Sequence, residues 1–327
     1  MRREKIRMVD ALESRRADAE LRITLVRSGG LGDTVLVLPA LVWLRKHLCG
    51  AHLTLVGSHW AEALSPLLPF PLEVVCFDSS LLTPLFGPDP VGDVPDVFSE
   101  AAVLVIYTAS PLHDWIRNVR RACRGSTIIW PSAPAGSRHA VVHFTQALAA
   151  GLLDSSDVPT PTLHAPEVAR AWAREWLRAA VGSPVGLTAI HPGSGGSQKC
   201  WPPECFAELA RKAHTSILLV EGPADVEACS RVRSLISSAV RVVEARGLGL
   251  AETAALLEQC TLYVANDSGL SHVAGALGIP TVAVFGPTDP DVWAPLGRAV
   301  AVVRAPEGTG WPTPEAVLEA ARHLGAE

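Results

Sequence analysis

Leu262 to Ala265 is a short apolar run, Asn266-Asp267-Ser268-Gly269 follow it, and small and apolar residues then continue through Gly278. A buried strand, a tight turn and a helix in immediate succession form half of a βαβ unit, and parallel sheets are assembled from such units. Asp267, Ser268 and Gly269 therefore fall on a strand-to-helix turn. The first amides of a helix lack internal partners and carry partial positive charge. Gly269 lets a phosphate come close to the backbone. Asp267 is a poor phosphate partner and suits a helix cap or a sugar hydroxyl. The same residues also fit an ordinary capped turn, because Asp and Ser are favoured cap residues.

A second turn of this kind lies near the start. Leu21–Val26 reads as a strand, Arg27-Ser28-Gly29-Gly30-Leu31-Gly32-Asp33 as a glycine-rich turn, and Thr34–His47 as a helix. The glycines at 29, 30 and 32 do not spell GxGxxG, so this is no dinucleotide fingerprint. Asp33 stands at the helix start, facing the space the glycine turn opens. Pro39 inside the helix implies a kink or a late start. His52–Val56, Leu72–Cys76, Ala102–Ile106 and Thr127–Trp130 read as further strands, and residues 78–100, rich in Pro, Gly and Asp, as a loop. Between the last two strands Arg117, Arg120, Arg121 and Arg124 share roughly one helical face. That face is either solvated or a site for an anionic acceptor. Arg138–Leu153 is another helix.

From Asp154 to Pro166 the composition turns to Asp, Ser, Thr and Pro, which marks an interdomain linker. After a helix over Glu167–Ala180, Val185–Ile190 begins a second strand–loop–helix series, with strands at Ile217–Val220, Val242–Val243 and Thr281–Phe285. Its first loop, His191-Pro192-Gly193-Ser194-Gly195-Gly196-Ser197-Gln198-Lys199-Cys200-Trp201-Pro202, holds a single lysine among glycines and serines. Amides and hydroxyls there can cradle a diphosphate while Lys199 adds a point charge. The loop is not a P-loop, since GxxxxGK[ST] is absent, and a flexible surface loop has the same composition. Asp225 or Glu227, after Gly222-Pro223, could reach a ribose or start a solvated helix. Asp289 and Asp291 sit on a Pro-rich turn with no third ligand nearby, so the spacing gives a turn and no metal site. Pro314–Leu324 is a final amphipathic helix.

Composition narrows the function. At 327 residues the chain has room for two domains, and its net charge of −5 argues against a basic nucleic-acid surface. Lys5, Lys46, Lys199 and Lys212 are its four lysines, so the one in the loop stands out. Seven cysteines, an odd number without a CxxC pair, fit reduced thiols in a cytoplasmic protein. No apolar run approaches the roughly 20 residues of a bilayer span. Residues 1–20 are charged throughout and read as a mobile or loosely docked leader, not a signal peptide.

Three stretches, taken together, resemble a known family. They are Gly32-Asp33 followed by Pro39; the Pro-Gly-Ser loop ending in Lys199-Cys200-Trp201-Pro202; and Asp267-Ser268-Gly269 with His272 and Ala274, then Phe285-Gly286-Pro287-Thr288-Asp289-Pro290 and Trp293-Ala294-Pro295. In this order and spacing they resemble glycosyltransferase family 9, the heptosyltransferases of lipopolysaccharide core synthesis, from about Leu21 to Pro295. The resemblance implies an α/β GT-B fold: two Rossmann-like domains facing across a cleft, with no required metal and no cofactor. The domains would be 21–165 for the acceptor and 166–310 for the nucleotide-sugar, with residues 311–327 packing back toward the first.

The implied chemistry is inverting transfer of a heptose from ADP-heptose to an acceptor hydroxyl. Asp33 matches the family's base and Lys199 the lysine on the donor phosphates. Gly193, Ser194 and the amides of Ser268, Gly269 and Leu270 would hold the diphosphate. Asp267 would contact the sugar, and His272 would lie near the donor or support it. Gly30, Arg117 and Arg120 would serve the acceptor. The acceptor is either lipopolysaccharide core or a small molecule, since the chain is acidic where a phosphorylated acceptor favours a basic surface. The resemblance implies no nucleic-acid partner and a cytoplasmic protein, with peripheral contact at the inner membrane face allowed. A related transferase using another nucleotide-sugar, or a nucleotide-sugar epimerase of the same fold, remains the alternative.

Overall fold

The computed structural model describes residues 21–87, 94–149, 158–182, 186–305 and 310–325. The expected leader and the start of the expected linker lie outside these residues. The chain divides between Pro161 and Thr162 into two compact units, with Pro66–Pro69 grouped with the second.

The first unit carries β1 (Arg22–Arg27), α1 (Leu31–His47), β2 (His52–Gly57), α2 (His59–Leu64), β3 (Glu73–Cys76), α3 (Asp96–Ser99), β4 (Val103–Thr108), α4 (Asp114–Ala122), β5 (Ser126–Pro131) and α5 (Ala140–Ala149). Its five strands pair in parallel in the order β3-β2-β1-β4-β5. Strands covered on both faces read as unbroken apolar runs, which is why Val103–Ile106 lacks alternation. Helix α1 starts earlier than Pro39 suggested. The Asp33 carboxylate accepts from the Gly30 amide at 3.0 Å and secures the first turn. Pro39 lies inside the helix, in the buried stretch Thr34–Leu41. Residues 78–100 are not one loop. A 3₁₀ segment over Ser80–Phe86 and helix α3 bury Leu82, Leu85 and Phe98 against Ile116 and Val119.

The second unit contains α6 (Glu167–Val181), β6 (Leu187–His191), α7 (Pro203–Lys212), β7 (Ser216–Glu221), α8 (Val226–Leu235), β8 (Val242–Arg246), α9 (Leu250–Leu257), β9 (Leu262–Asn266), α10 (Gly269–Leu277), β10 (Thr281–Phe285), α11 (Pro290–Trp293), β11 (Val300–Arg304) and α12 (Pro314–His323). The parallel order is β11-β10-β9-β6-β7-β8. Renumbered within the unit, that is 6-5-4-1-2-3, the doubly wound Rossmann order, with its reversal between β6 and β9. Strand β11 is absent from the sequence reading; it is an edge strand without a fully buried residue, so its apolar signal is weak.

The apolar face of the last helix belongs to the second core. Val317 and Ala321 are buried there with Phe206 and Leu209, and α12 packs on α7, β10 and β11. No helix among the described residues is long and apolar enough to cross a membrane.

Candidate functional site

In an open α/β sheet, ligands bind beyond the carboxyl ends of the strands where the order reverses. In the second unit those ends are His191 and Asn266. The glycine/serine loop leaves one, and the Asp267-Ser268-Gly269 turn leaves the other, so the two stretches singled out in the sequence are neighbours.

Asn266, fully buried, joins them. Its Nδ2 donates to the Pro192 carbonyl at 2.7 Å and the Gly193 carbonyl at 3.3 Å, while its Oδ1 accepts from the Trp201 amide at 2.8 Å. One side chain thus ties down both ends of the loop. Trp201 is buried at 1% exposure, packs edge-on against Phe206 at 5.0 Å and donates Nε1–H to the Pro312 carbonyl at 2.9 Å. The loop is therefore anchored, in contrast to the flexible surface loop its composition also fits.

Lys199 and Asp267 meet across this junction. Lys199 Nζ donates to Asp267 Oδ2 at 2.7 Å, and Thr288 Oγ1 donates to the same oxygen at 2.8 Å. Asp267 Oδ1 takes no hydrogen bond among the described residues. Ser194 Oγ donates to the Asp267 carbonyl at 2.6 Å, which closes the loop onto the turn. Asp267 does not cap α10: the capping position is Ser268, and no side chain caps there. Gly269 opens the helix, and Leu270 and His272 are buried in its first turns. Asp289, by contrast, accepts from the Asp291 amide at 3.1 Å and caps α11.

Behind the loop His191 Nε2 lies 2.9 Å from Asp225 Oδ2, which also accepts from the Gly222 amide at 3.1 Å. Burial pushes the Asp225 carboxyl up, but the hydrogen bond and charge of His191 and the Gly222 amide outweigh it and hold it below its ordinary value. This carboxylate is committed to His191, so it is not the open ribose partner the sequence allowed. Glu227 is exposed on the first turn of α8. Gly193 has a reason beyond phosphate approach: a Cβ there would sit 1.8 Å from Asp225 Oδ1. Gly193→Ala is therefore expected to displace Asp225 and destabilise the protein by about 1–3 kcal/mol, the usual cost of overpacking, measured by urea denaturation.

The first unit reverses its strand order between β1 and β4. At the end of β1 the buried Arg27 pairs through Nη2 with Asp33 Oδ1, and its guanidinium lies over the Phe144 ring at 5.1 Å. Among the described residues Arg27 Nε is buried without a hydrogen-bond partner. Asp33 thus receives Arg27 on one oxygen and the Gly30 amide on the other. That amide is spent on Asp33 and is not open to an acceptor. Gly29 is the glycine this geometry requires: its φ is +152°, and a Cβ would lie 2.6 Å from Asp33 Oδ2. Arg117 and Arg120 are exposed on α4, and Arg117 pairs with Asp114 at 2.7 Å. No hydrogen bond or ion pair among the described residues links them to Asp33. Arg27, Asn266 and Thr288 join these sites only through the fold. Each lies within a quoted stretch, but only the fold shows which strand end it occupies or which carboxylate it meets.

Each of the two Rossmann-like α/β units thus places a glycine-bearing turn where its strand order reverses, the position at which proteins of this class bind their ligands. The pattern of glycosyltransferase family 9 (heptosyltransferase) matches residues 88–316, and the chain belongs to that family. It is similar to lipooligosaccharide heptosyltransferase 2 of Haemophilus influenzae, 33% identical over 119 residues, or 35% of this chain and 34% of that protein. The match thus spans about a third of that relative's length. The fold is that of the glycosyl transferase family 9 protein from Veillonella parvula (TM-score 0.76, 21% identity, 93% of this chain and 97% of that one). It is also that of E. coli ADP-heptose lps heptosyltransferase II (TM-score 0.72, 21% identity, 93% and 98%). The α/β GT-B class expected from the sequence is therefore the class found.

Proposed function

We propose that the protein transfers a heptose from ADP-heptose to an acceptor hydroxyl, with inversion at the anomeric carbon and without a metal. The observation that carries this reading is the meeting of Lys199, Asp267, Ser194 and the start of α10 where the second sheet reverses its order, in a chain of this family. The amides of Ser268, Gly269 and Leu270 sit at the positive end of α10 and hold the diphosphate, with Gly193 and Ser194 lining the other side. Lys199 commits one of its three N–H donors to Asp267 and offers the others to phosphate oxygens. There it offsets the charge that grows on the leaving diphosphate. Asp267 Oδ1 receives a hydroxyl of the sugar. Buried His272 supports the donor pocket from α10.

Asp33 is the base. It takes the acceptor's proton as the hydroxyl oxygen forms its bond to the anomeric carbon and the bond to the diphosphate breaks. Arg27 and the Gly30 amide fix both carboxylate oxygens, which orients the group before the acceptor arrives. Arg117 and Arg120, exposed on α4, form the acceptor side, and the acceptor is lipopolysaccharide core or a small molecule. The protein works in the cytoplasm, in peripheral contact with the inner membrane face.

The test is release of ADP from ADP-heptose in the presence of heptose-free lipopolysaccharide core. Lys199→Ala is expected to lower kcat by about 10²–10³-fold, the usual loss when a charge-stabilising donor is removed. ADP release that requires no acceptor and leaves an isomerised nucleotide-sugar would favour the epimerase. Turnover only with a different nucleotide-sugar would move the assignment to another donor.

A further inference from the structure

Three chain segments meet at Asp267, just beyond the end of β9. Its amide donates to the Val284 carbonyl of β10 at 3.0 Å. Its carbonyl accepts from Ser194 Oγ at 2.6 Å. Its Oδ2 accepts from Lys199 Nζ at 2.7 Å and from Thr288 Oγ1 at 2.8 Å. The mechanism above uses Ser194, Lys199 and Asp267 but leaves Thr288 without a role.

Thr288 is half-buried on the turn between β10 and α11. That turn is held on both sides of it. Behind it, a Cβ on Gly286 would run into the Trp311 ring, so the backbone lies directly against the indole. Ahead of it, Asp289 Oδ1 accepts from the Asp291 amide at 3.1 Å and caps α11. The threonine side chain is itself short and stiff at its single torsion. Lys199, by contrast, reaches the same oxygen on a flexible four-carbon stem.

The difference matters because a carboxylate turns about its last bond in a broad, two-fold well. Under Lys199 alone, Asp267 could present either oxygen to the ammonium, or both at once, since the ammonium has three donors. A second donor fixed on the β10 turn selects Oδ2. Oδ1, which takes no hydrogen bond among the described residues, is then left facing the ligand. An ionised carboxylate only accepts, so the group it receives must be a donor. A sugar hydroxyl meets that requirement and a diphosphate oxygen does not.

We infer that Thr288 is a positioning residue for recognition of the transferred sugar: by sharing Asp267 Oδ2 with Lys199, it reserves Oδ1 for a sugar hydroxyl. The inference rests on the donor site proposed above. It separates the two halves of the donor. Lys199 keeps its other N–H donors for the diphosphate whether or not Thr288 is present, so Thr288 serves the glycosyl half alone.

The experiment is calorimetric titration of the full chain with ADP and, separately, with ADP-heptose. Thr288→Val replaces the hydroxyl with a methyl group of similar size and should leave ADP affinity at the wild-type value. Its affinity for ADP-heptose should fall about tenfold, the lower end of what a hydrogen bond to a charged group supplies. Thr288→Ser keeps the donor and should restore it. In an Asp267→Ala background, Thr288→Val should change neither affinity further, because the two residues act as one unit. Equal losses for ADP and ADP-heptose in Thr288→Val would make Thr288 a support of the whole donor site and overturn the inference. Unaltered ADP-heptose affinity in that variant, a serine variant as weak as the valine one, or a further loss in the Asp267→Ala background also overturns it. Each of these leaves the donor site standing. Failure of the wild-type chain to bind either ligand removes the donor site and this inference with it.

Discussion

Asp33→Asn is expected to lower turnover by about 10²–10⁴-fold, the span that one positioned general base supplies. The asparagine keeps an oxygen that can accept from Arg27 or the Gly30 amide, so the start of α1 keeps a partner. What it loses is the charge and the capacity to take a proton. Donor affinity resides on the second unit and should stay at the wild-type value. The pairing of results is the informative part: calorimetry with an ADP-sugar unchanged, and ADP release in the presence of acceptor nearly gone. Equal losses of binding and turnover would place Asp33 in donor recognition and remove it as the base. Urea denaturation of the same variant separates either result from unfolding, because Arg27 is buried and pairs with that carboxylate.

Trp201→Ala is expected to destabilise the protein by about 3–5 kcal/mol, the range for emptying a buried aromatic site. Three losses coincide. The indole is among the largest fully buried side chains, its ring packs on Phe206, and its N–H satisfies the Pro312 carbonyl just before α12. Trp201 also ends the loop that carries Lys199. Its amide is the donor to Asn266 Oδ1, the atom that holds this end of the loop against the turn before α10. A cavity beneath it therefore loosens the loop as well as the core, and donor affinity should fall along with stability. Chemical denaturation measures the first and calorimetry the second. A stability loss with unaltered donor affinity would show that Asn266 alone holds the loop in place.

How far the sequence alone leads can be judged from particular residues. The strands at Leu262–Ala265 and Val282–Phe285 are legible because parallel strands covered on both faces read as continuous apolar runs. The glycine turns are legible because they fall directly after those runs. Strand β11 escapes because an edge strand without a buried residue has no such signal. The destination of α12 escapes for a different reason. An amphipathic helix announces that it has an apolar face, but not which sheet receives Val317 and Ala321. The same limit applies within the site. Lys199 stands out as a rare lysine in a glycine loop, yet nothing in its neighbourhood says that Asp267 and Thr288 share one oxygen with it. Asp225 reads as a helix-start carboxylate and turns out to be buried on His191, 34 positions away. Long-range pairings are set by strand order, and strand order is not written locally.

The central claim is that the second unit binds the donor's diphosphate between the Ser194–Lys199 loop and the first turn of α10. Its most direct test is a crystal structure of the full chain with ADP-heptose. The account predicts phosphate oxygens within hydrogen-bond distance of Lys199 Nζ and the amides of Ser268 to Leu270, with the heptose toward Asp267 Oδ1. A well-ordered nucleotide-sugar bound anywhere else, with Lys199 still turned onto Asp267 and away from phosphate, would contradict it.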